Sequence, residues 1–349
     1  MPAKSRVGII VWFACFGLQT LQFIRFYIAK TAFYLDMPKY LAGHERIPFQ
    51  ERVLPILFLE PVFRSPWIMR FAHPNGLFTP ELGPFYVLSL ITFVIAGIFV
   101  QKLYSALTES GTLFFIVYPL FLFAAMWSYV IHIEANLSYP YDMPSVAFFA
   151  AGLYLIYTRK FIPLLIVMFL GTLNRETTLF LIGIFIIDAA SVAGSGPSTR
   201  FRDRFSLHQV PWLRVAALAS IWLAIKITLA HIFAGNDNSE NFVRFAYNLN
   251  KMGPRLWPAM LNICGYMLPI VWLLRGNIAP VRFANYLYIM PFWFAIMFYT
   301  GVVIETRIYG ELCSFVAVAL VLISERLIAK INHQRSGQPE MQFSEEVAA

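Results

Sequence analysis

Apolar runs long enough to cross a lipid bilayer recur from one end of this 349-residue chain to the other. A transmembrane helix needs roughly 20 such residues, with about 17 as a practical minimum. The clearest runs are 7–35, 84–106, 111–133, 213–234, 259–274, 283–304 and 309–329. Since hydrophobic residues make up 59% of the chain and charged residues only 13%, no large soluble domain fits between the runs. The sequence therefore predicts an all-α polytopic integral membrane protein.

Three shorter apolar runs, at 144–158, 161–173 and 178–194, decide the number of spans. A single helix through the last two would be about 50 Å long, whereas the hydrocarbon core of a bilayer is only ~30 Å thick. We therefore predict two short spans joined by a polar turn, and about ten transmembrane helices in all. They form one membrane domain over 1–332, with a long, partly helical first outer loop at 36–83 and a disordered cytoplasmic tail at 333–349.

A basic loop predicts the orientation of the chain. Arg200, Arg202, Arg204 and Arg214 lie close together between two apolar runs, and short loops rich in Arg and Lys stay in the cytoplasm. With ten spans, both termini are then cytoplasmic. The loops at 36–83, 134–143, 174–177, 235–258 and 305–311 all fall on the opposite, outer face.

Most of the chain's 19 acidic residues lie in those outer loops. Asp36 is the first candidate catalytic residue, because it directly follows the first span and is both held by a helix end and within reach of water. The candidate supporting acids are Glu45, Glu51, Asp142, Glu176, Glu305 and Glu311. The candidate phosphate-binding residues are Arg46, Arg52, Arg175 and Arg307.

Several of these residues also have a structural interpretation. Asp142 precedes Met143 and Pro144, so it can cap a helix. Arg307 and Glu311 are four residues apart and can pair on one helix face. Arg175 can pair with Glu176 or Glu311 instead of holding a phosphate.

Absent motifs narrow the function. The sequence has no HExxH, GxxxxGK[ST] or GxSxG motif and no cysteine or histidine pair at metal-ligand spacing, which argues against zinc proteases, P-loop motors and elbow-type hydrolases. Its net charge of +8 is scattered among apolar runs rather than gathered on one stripe, so nucleic acid is not an expected partner.

The segment "FYLDMPKYLAGHERIPFQERVLPIL", at 33–57, places an acid just after the first span and before a Tyr, a Gly and a Pro-Phe loop. With the many-span layout, this resembles the GT-C superfamily of integral membrane glycosyltransferases, which take a sugar from a polyprenyl-phosphate carrier at the outer or lumenal face. The segments "YDMPS", "LNRET" and "ETRIYGEL" resemble those of poorly characterised bacterial membrane proteins often grouped with that superfamily.

The resemblance implies a hexosyl- or pentosyltransferase of cell-envelope polysaccharide biosynthesis in a bacterial inner membrane. Its partners are a lipid-linked sugar donor and membrane lipids. Asp36 matches the catalytic acid of the first loop, which accepts the proton of the acceptor hydroxyl. Family members often carry an acidic pair there, whereas Met37 follows Asp36 here, so a second acid has to be Glu45 or Glu51. A divalent metal, Mg or Mn, is used by some members.

Two other functions fit the same span layout. Many spans with short, broken helices also suit a small-molecule transporter, although charges in this chain gather at one face rather than within the spans. A polysaccharide polymerase or ligase is the other alternative.

Overall fold

The computed structural model describes residues 6–71, 82–108, 111–131, 137–192, 201–251 and 256–336. Helices dominate these ranges, and the strands found in them are two short ones, β1 (Ala32–Phe33) and β2 (Leu137–Ser138), which pair in parallel. The prediction of an all-α fold is thus confirmed for the described residues.

The first half of the chain contains a long first helix, the helices of the first outer loop and a group of apolar helices. Their bounds are α1 (Arg6–Lys30), α2 (Met37–Leu41), α3 (Leu54–Arg64), α4 (Pro66–Met69), α5 (Gly83–Leu107), α6 (Phe114–Tyr129), α7 (Asp142–Tyr157), α8 (Phe161–Asn174) and α9 (Leu179–Ala190). The first outer loop is partly helical, as predicted, and its residues 72–81 lie outside the described residues.

The second half alternates longer helices with short ones. Their bounds are α10 (Trp212–Ile232), α11 (Phe245–Lys251), α12 (Leu256–Leu261), α13 (Met267–Leu273), α14 (Val281–Ala284), α15 (Met290–Thr300) and α16 (Cys313–Ser336). Single 3-10 turns lie at Glu176–Thr178, Phe201–Arg204, Leu207–Gln209, Arg275–Asn277, Asn285–Ile289 and Thr306–Leu312. Because α16 continues past 333 to Ser336, the predicted tail starts too early; 337–349 lie outside the described residues.

Four stretches of the described residues are long and apolar enough to cross a membrane, fewer than the ten predicted. They are Gly83–Leu107, Trp212–Ile232, Val281–Thr300 and Thr306–Arg335. Shorter apolar helices account for part of the difference: α6 and α7 have 16 residues each, α8 has 14 and α9 has 12. The predicted span 259–274 is broken: α12 ends at Leu261, and Cys264, Gly265 and Tyr266 adopt left-handed backbone conformations before α13 begins.

The core is centred on α7, which packs against α5, α8, α9 and α16. Gly152 on α7 lies so close to α9 that a Cβ there would approach Leu181 to 2.5 Å. On α5, a Cβ at Gly97 would come within 2.7 Å of the Tyr118 ring. Residues without side chains therefore allow α7 to lie close to α9, and α5 to lie close to α6.

Gly310, near the polar end of the bundle, has no room for a side chain. It lies in the 3-10 turn Thr306–Leu312, and a Cβ there would overlap the rigid Tyr129 ring. Gly310→Ala should therefore lower the free energy of unfolding by about 1–3 kcal/mol, through displacement of the ring or the turn. Thermal unfolding in detergent micelles measures this.

Gly17→Ala is the matched control, because it adds the same methyl group in α1 where nothing lies within 4 Å. It should be neutral or slightly stabilising, since alanine favours helix. Equal melting temperatures for the two variants would show that the turn is not packed against Tyr129 as described.

Candidate functional site

A group of charged side chains from distant parts of the chain meets at one end of the bundle. This buried ion cluster consists of Arg52, Asp142, Arg175, Glu176, Glu305, Arg307 and Glu311. They come from the first outer loop, the start of α7, the turn between α8 and α9, and the turn before α16. The structure therefore brings together three of the four candidate arginines and four of the candidate acids.

Arg175 and Arg307 share Asp142 at the centre of the cluster. Arg175 Nη1 lies 3.3 Å from Glu311 Oε1 and 3.9 Å from Asp142 Oδ1. Arg307 Nη1 lies 3.4 Å from the same Asp142 oxygen, and its Nη2 lies 2.5 Å from Glu305. Asp142 itself is completely buried. Charges that have left water in this way are stable only when paired, so these contacts hold the loops that carry them.

The turn between α8 and α9 is fixed by its own polar side chains. Asn174 Nδ2 donates to the carbonyl of Tyr141, 3.0 Å away, and to Ser145 Oγ on α7. Thr177 Oγ1 donates to Glu311 Oε1 at 2.7 Å. The "NRET" sequence therefore ties the turn to both neighbouring elements, and this explains a run of polar residues between two apolar helices.

Asp142 does not cap α7, so the capping interpretation is wrong. It is the first residue of that helix, and Tyr27 Oη on α1 donates to its Oδ2 at 2.8 Å. Its carboxylate instead neutralises Arg307 and Arg175, and it lies at the helix N-terminus, where the helix dipole favours a negative charge.

The interpretation of Arg307 and Glu311 as an i, i+4 helical pair is also wrong. Both lie in a 3-10 turn, in which side chains three residues apart align, rather than in an α-helix. Arg307 accordingly pairs with Glu305 and Asp142, and Glu311 pairs with Arg175.

Two tyrosines of the segment before α7 cover the cluster. The guanidinium carbon of Arg307 lies 4.1 Å from the centre of the Tyr139 ring, and that of Arg52 lies 4.2 Å from the Tyr141 ring. The two rings stack with centres 5.0 Å apart. Cation–π contacts of this kind add stabilisation once water is excluded, so the tyrosines complete the enclosure of the arginines.

Arg52 and Glu176 form a two-point pair, with Nη2 2.7 Å from Oε1 and Nε 3.3 Å from Oε2. Burial alone would raise the pKa of the Glu176 carboxyl, but the charges of Arg52 and Lys226 outweigh it and hold that pKa well below its usual range. The Glu176 side chain is nevertheless 34% exposed, so water weakens the pair relative to the contacts at Asp142.

The cluster contains three arginines and four carboxylates, so its formal charge is −1. Each of the three guanidiniums already has a carboxylate partner, and a phosphate would have to compete with it. The geometry thus gives Arg52, Arg175 and Arg307 structural partners, and their predicted contact with phosphate stays a prediction.

Asp36 and Arg46 lie at the surface instead. The Asp36 side chain is 45% exposed; it accepts from the backbone N–H of Lys39 at the start of α2 and forms an ion pair of 3.5 Å with the Lys39 side chain. Arg46 is 30% exposed, lies over the Tyr34 ring and pairs with Glu240 at 3.2 Å. We call Asp36 and Arg46 the outer pair.

Glu45 connects the two residues of the outer pair. Its buried carboxylate accepts from the Asp36 backbone N–H through Oε2 at 3.0 Å, and from the Arg46 backbone N–H and Nε through Oε1 at 3.0 and 3.3 Å. Glu45 therefore fixes a solvent-accessible acid and a solvent-accessible guanidinium relative to one another.

Glu51, the remaining candidate acid, pairs with Lys226 on α10. The sequence did not indicate that Lys226, Tyr27, Thr177 and Glu240 are partners of the candidate residues. Lys226 is a cation within an apolar run, a feature that signals a need for a buried partner, but the sequence does not say which acid meets it.

A comparison with family models, curated proteins and solved structures finds no match to this chain. Within the described residues, no three His, Cys, Asp or Glu side chains group as a metal ion requires. The divalent metal remains an expectation from the resemblance.

Arg175→Met should be strongly destabilising, because it leaves Glu311 and Asp142 buried with less compensating charge. We expect a loss of about 3–5 kcal/mol in the free energy of unfolding, measured by denaturant titration in detergent micelles. Adding Glu311→Gln should recover part of the loss, since it removes one of the uncompensated charges.

Arg64→Met is the control for that experiment. Arg64 pairs with Glu60 on α3 but is 79% exposed, so its loss should change stability by at most ~0.5 kcal/mol. If Arg175→Met is no more harmful than Arg64→Met, the buried ion cluster does not hold the bundle together.

The lowered pKa of Glu176 predicts a dependence of stability on pH. The pair with Arg52 contributes fully above the unfolded-state pKa of about 4.3, and that contribution disappears as the pH falls towards the lower pKa of the folded protein. The melting temperature of the wild type should therefore exceed that of Glu176→Gln by a constant amount from pH 8 to about pH 5, and the gap should shrink below about pH 4.

Glu60→Gln controls for the removal of one carboxylate, because Glu60 pairs with an exposed arginine on α3. A gap between wild type and Glu176→Gln that stays unchanged down to pH 3 would contradict the described pair.

Proposed function

We propose that the protein is an integral membrane glycosyltransferase of the GT-C type, which transfers a sugar from a polyprenyl-phosphate carrier to an acceptor hydroxyl at the outer face. Asp36 is the general base and Arg46 contacts the phosphate of the donor. The observation that carries the proposal is the Glu45 carboxylate, which holds both residues of the outer pair.

Accessibility distinguishes the outer pair from the other candidates. A general base must come within hydrogen-bond reach of the hydroxyl that it deprotonates. Asp36 is 45% exposed, whereas Asp142 and Glu311 are almost completely buried and already paired. Among the candidate arginines, Arg46 is the most exposed. Substrate can therefore reach the outer pair without breaking the buried ion cluster.

Helices α3 and α4 suit a donor whose tail stays in lipid. Both lie in the first outer loop, and they expose the apolar side chains of Leu57 and Trp67 together with the basic Arg64. A short helix with exposed apolar and basic groups is typical of a segment lying at the membrane surface, and tryptophan is common at that depth. A polyprenyl chain held beside these helices would present its phosphate near the outer pair.

In the proposed reaction, the acceptor hydroxyl gives its proton to the Asp36 carboxylate while its oxygen bonds to the anomeric carbon of the sugar. The bond from that carbon to the phosphate oxygen breaks, and the phosphate leaves with the electron pair. The planar guanidinium of Arg46 stabilises the charge that develops on the leaving group. Glu45 positions both groups and does not react.

The same proposal includes a bacterial inner membrane, about ten spans, cytoplasmic termini and a role in cell-envelope polysaccharide synthesis. Beyond the four long stretches, the span count rests on counting α1, the short apolar helices α6, α7, α8 and α9, and the interrupted run from α12 to α13 as spans. The orientation rests on the basic loop, of which Arg200 lies outside the described residues.

Asp36→Asn tests the proposed base. Asparagine caps a helix about as well as aspartate, so α2 should persist while the base is lost. With purified protein and labelled polyprenyl-phosphate sugars, we expect transfer to fall by about 10²–10⁴-fold, with an unchanged melting temperature.

Asp237→Asn is the matched control, because Asp237 is an exposed acid on the same face and bonds Ser239. It should transfer sugar at the wild-type rate. Wild-type activity in Asp36→Asn would contradict the proposal, and sugar uptake into vesicles without transfer would favour the transporter alternative.

A further inference from the structure

A second polar site lies at the other end of α7 from the buried ion cluster. Asp142 begins α7 at the cluster, and Tyr157 ends it about 20 Å away at the usual helical rise. Beside that end is a cleft of about 330 Å³, whose walls include Leu155, Phe161, Leu164 and Phe185. Arg159 and Arg214 also line the cleft.

Backbone pairing builds one wall of this cleft. The chain leaving α9 pairs with the segment before α10, through bonds from Val192 N to the Arg204 carbonyl at 2.9 Å and from Ser206 N to the Ala190 carbonyl at 2.8 Å. The wall thus joins the end of α9 to the segment leading into α10, where Arg214 lies in the first turn.

Positive charge is in excess at the cleft. The acid in its lining, Asp188, is already engaged by Arg282 at 2.5 Å and by Tyr286. Arg159 and Arg214 are both exposed, and within the described part of the chain neither has a carboxylate at ion-pair distance. Arg214 lies over the Phe161 ring, with 5.2 Å from its guanidinium carbon to the ring centre. Two guanidiniums are therefore available to one anionic group.

The backbone at Arg159 is a second, independent observation. Arg159 has a φ of 57°, in the left-handed region. It follows α7 in a Schellman turn, closed by bonds from Arg159 N to the Ile156 carbonyl and from Lys160 N to the Leu155 carbonyl. Glycine is the usual residue there because a Cβ is unfavourable in this conformation. Arginine thus occupies a position whose left-handed backbone favours glycine, which indicates that the Arg159 side chain has a role there.

We propose that this cleft binds the phosphate group of an anionic membrane lipid. Arg159 and Arg214 hold the phosphate by charge-assisted hydrogen bonds. In the orientation that we propose, the cleft lies on the cytoplasmic side, where basic pockets between helices suit such headgroups. The acyl chains run along the outward face of α8, where Ile162, Ile166 and Phe169 are exposed. The cleft volume suits a headgroup, and the apolar strip distinguishes a lipid from a free phosphate.

The experiment compares melting temperatures of the purified full-length protein in non-ionic detergent. Phosphatidylglycerol should raise the melting temperature more than phosphatidylcholine, whose own cation competes for the phosphate. In Arg159→Gly and Arg214→Gln, the apparent affinity for phosphatidylglycerol should fall at least about tenfold, because each loses a charge-assisted hydrogen bond.

Arg159→Gly separates binding from folding, because glycine suits the left-handed backbone and should leave the unliganded protein at least as stable as the wild type. Lys160→Gln is the matched control: it removes the same charge one residue away, where Lys160 lies near Tyr154 and outside the cleft. It should retain the wild-type response.

Inorganic phosphate is the second arm. One outcome is that phosphate raises the melting temperature as much as phosphatidylglycerol does and that Arg159→Gly abolishes this increase. The cleft is then a phosphate site, and its ligand is a soluble phosphate ester rather than a lipid. If phosphatidylglycerol and phosphate both fail to shift the wild type, or if Arg159→Gly and Arg214→Gln respond like the wild type, the proposal is overturned. The readout is independent of sugar transfer.

Discussion

The pairing of charges at Asp142 is the interaction on which the polar end of this molecule depends. A carboxylate cannot remain ionised in an apolar bundle without partners, and Asp142 obtains them from α1, the α8–α9 turn and the turn before α16. The partners lie on three different segments of the chain. Breaking one of the ion pairs therefore leaves a buried charge less compensated and removes a link between two segments at the same time.

This arrangement divides the charged residues by task. The buried ion cluster supports the scaffold, while Glu45 positions the outer pair at the surface. The Arg52 side chain pairs with Glu176, and the Tyr40 hydroxyl donates to the Arg52 carbonyl. The first outer loop is thus tied to the bundle close to the residues that we assign to catalysis. Such a site is held by contacts distant from the reacting atoms, which is what precise positioning requires.

The lengths of the apolar runs predicted part of the fold. The limited thickness of a bilayer required a break near Asn174, and α8 ends there. Apolar length did not predict the break within 259–274, where three successive left-handed residues interrupt an apolar run that hydropathy treats as continuous. Hydropathy measures only how apolar a run is, and the backbone conformation of Cys264 depends on packing that the sequence does not display.

Counting spans predicted that charged residues gather at one face, but it did not predict which of these residues pair with one another. Arg307 and Glu311 have the spacing of a helical pair, but they lie in a 3-10 turn and do not pair with each other. Arg307 pairs with Glu305, and Glu311 pairs with Arg175. Likewise, Lys226 signalled a buried partner without naming Glu51. Which residues pair depends on how closely segments that are far apart in sequence approach one another in the folded protein.

A double-mutant cycle on Asp142 and Arg307, run beside one on the exposed pair Asp36 and Lys39, tests the central claim most directly. The buried pair should show a coupling free energy above ~1 kcal/mol, and the exposed pair should show at most ~0.5 kcal/mol. A coupling at Asp142 no larger than that at Asp36 would contradict the account, since the buried charges would then not hold the site in place.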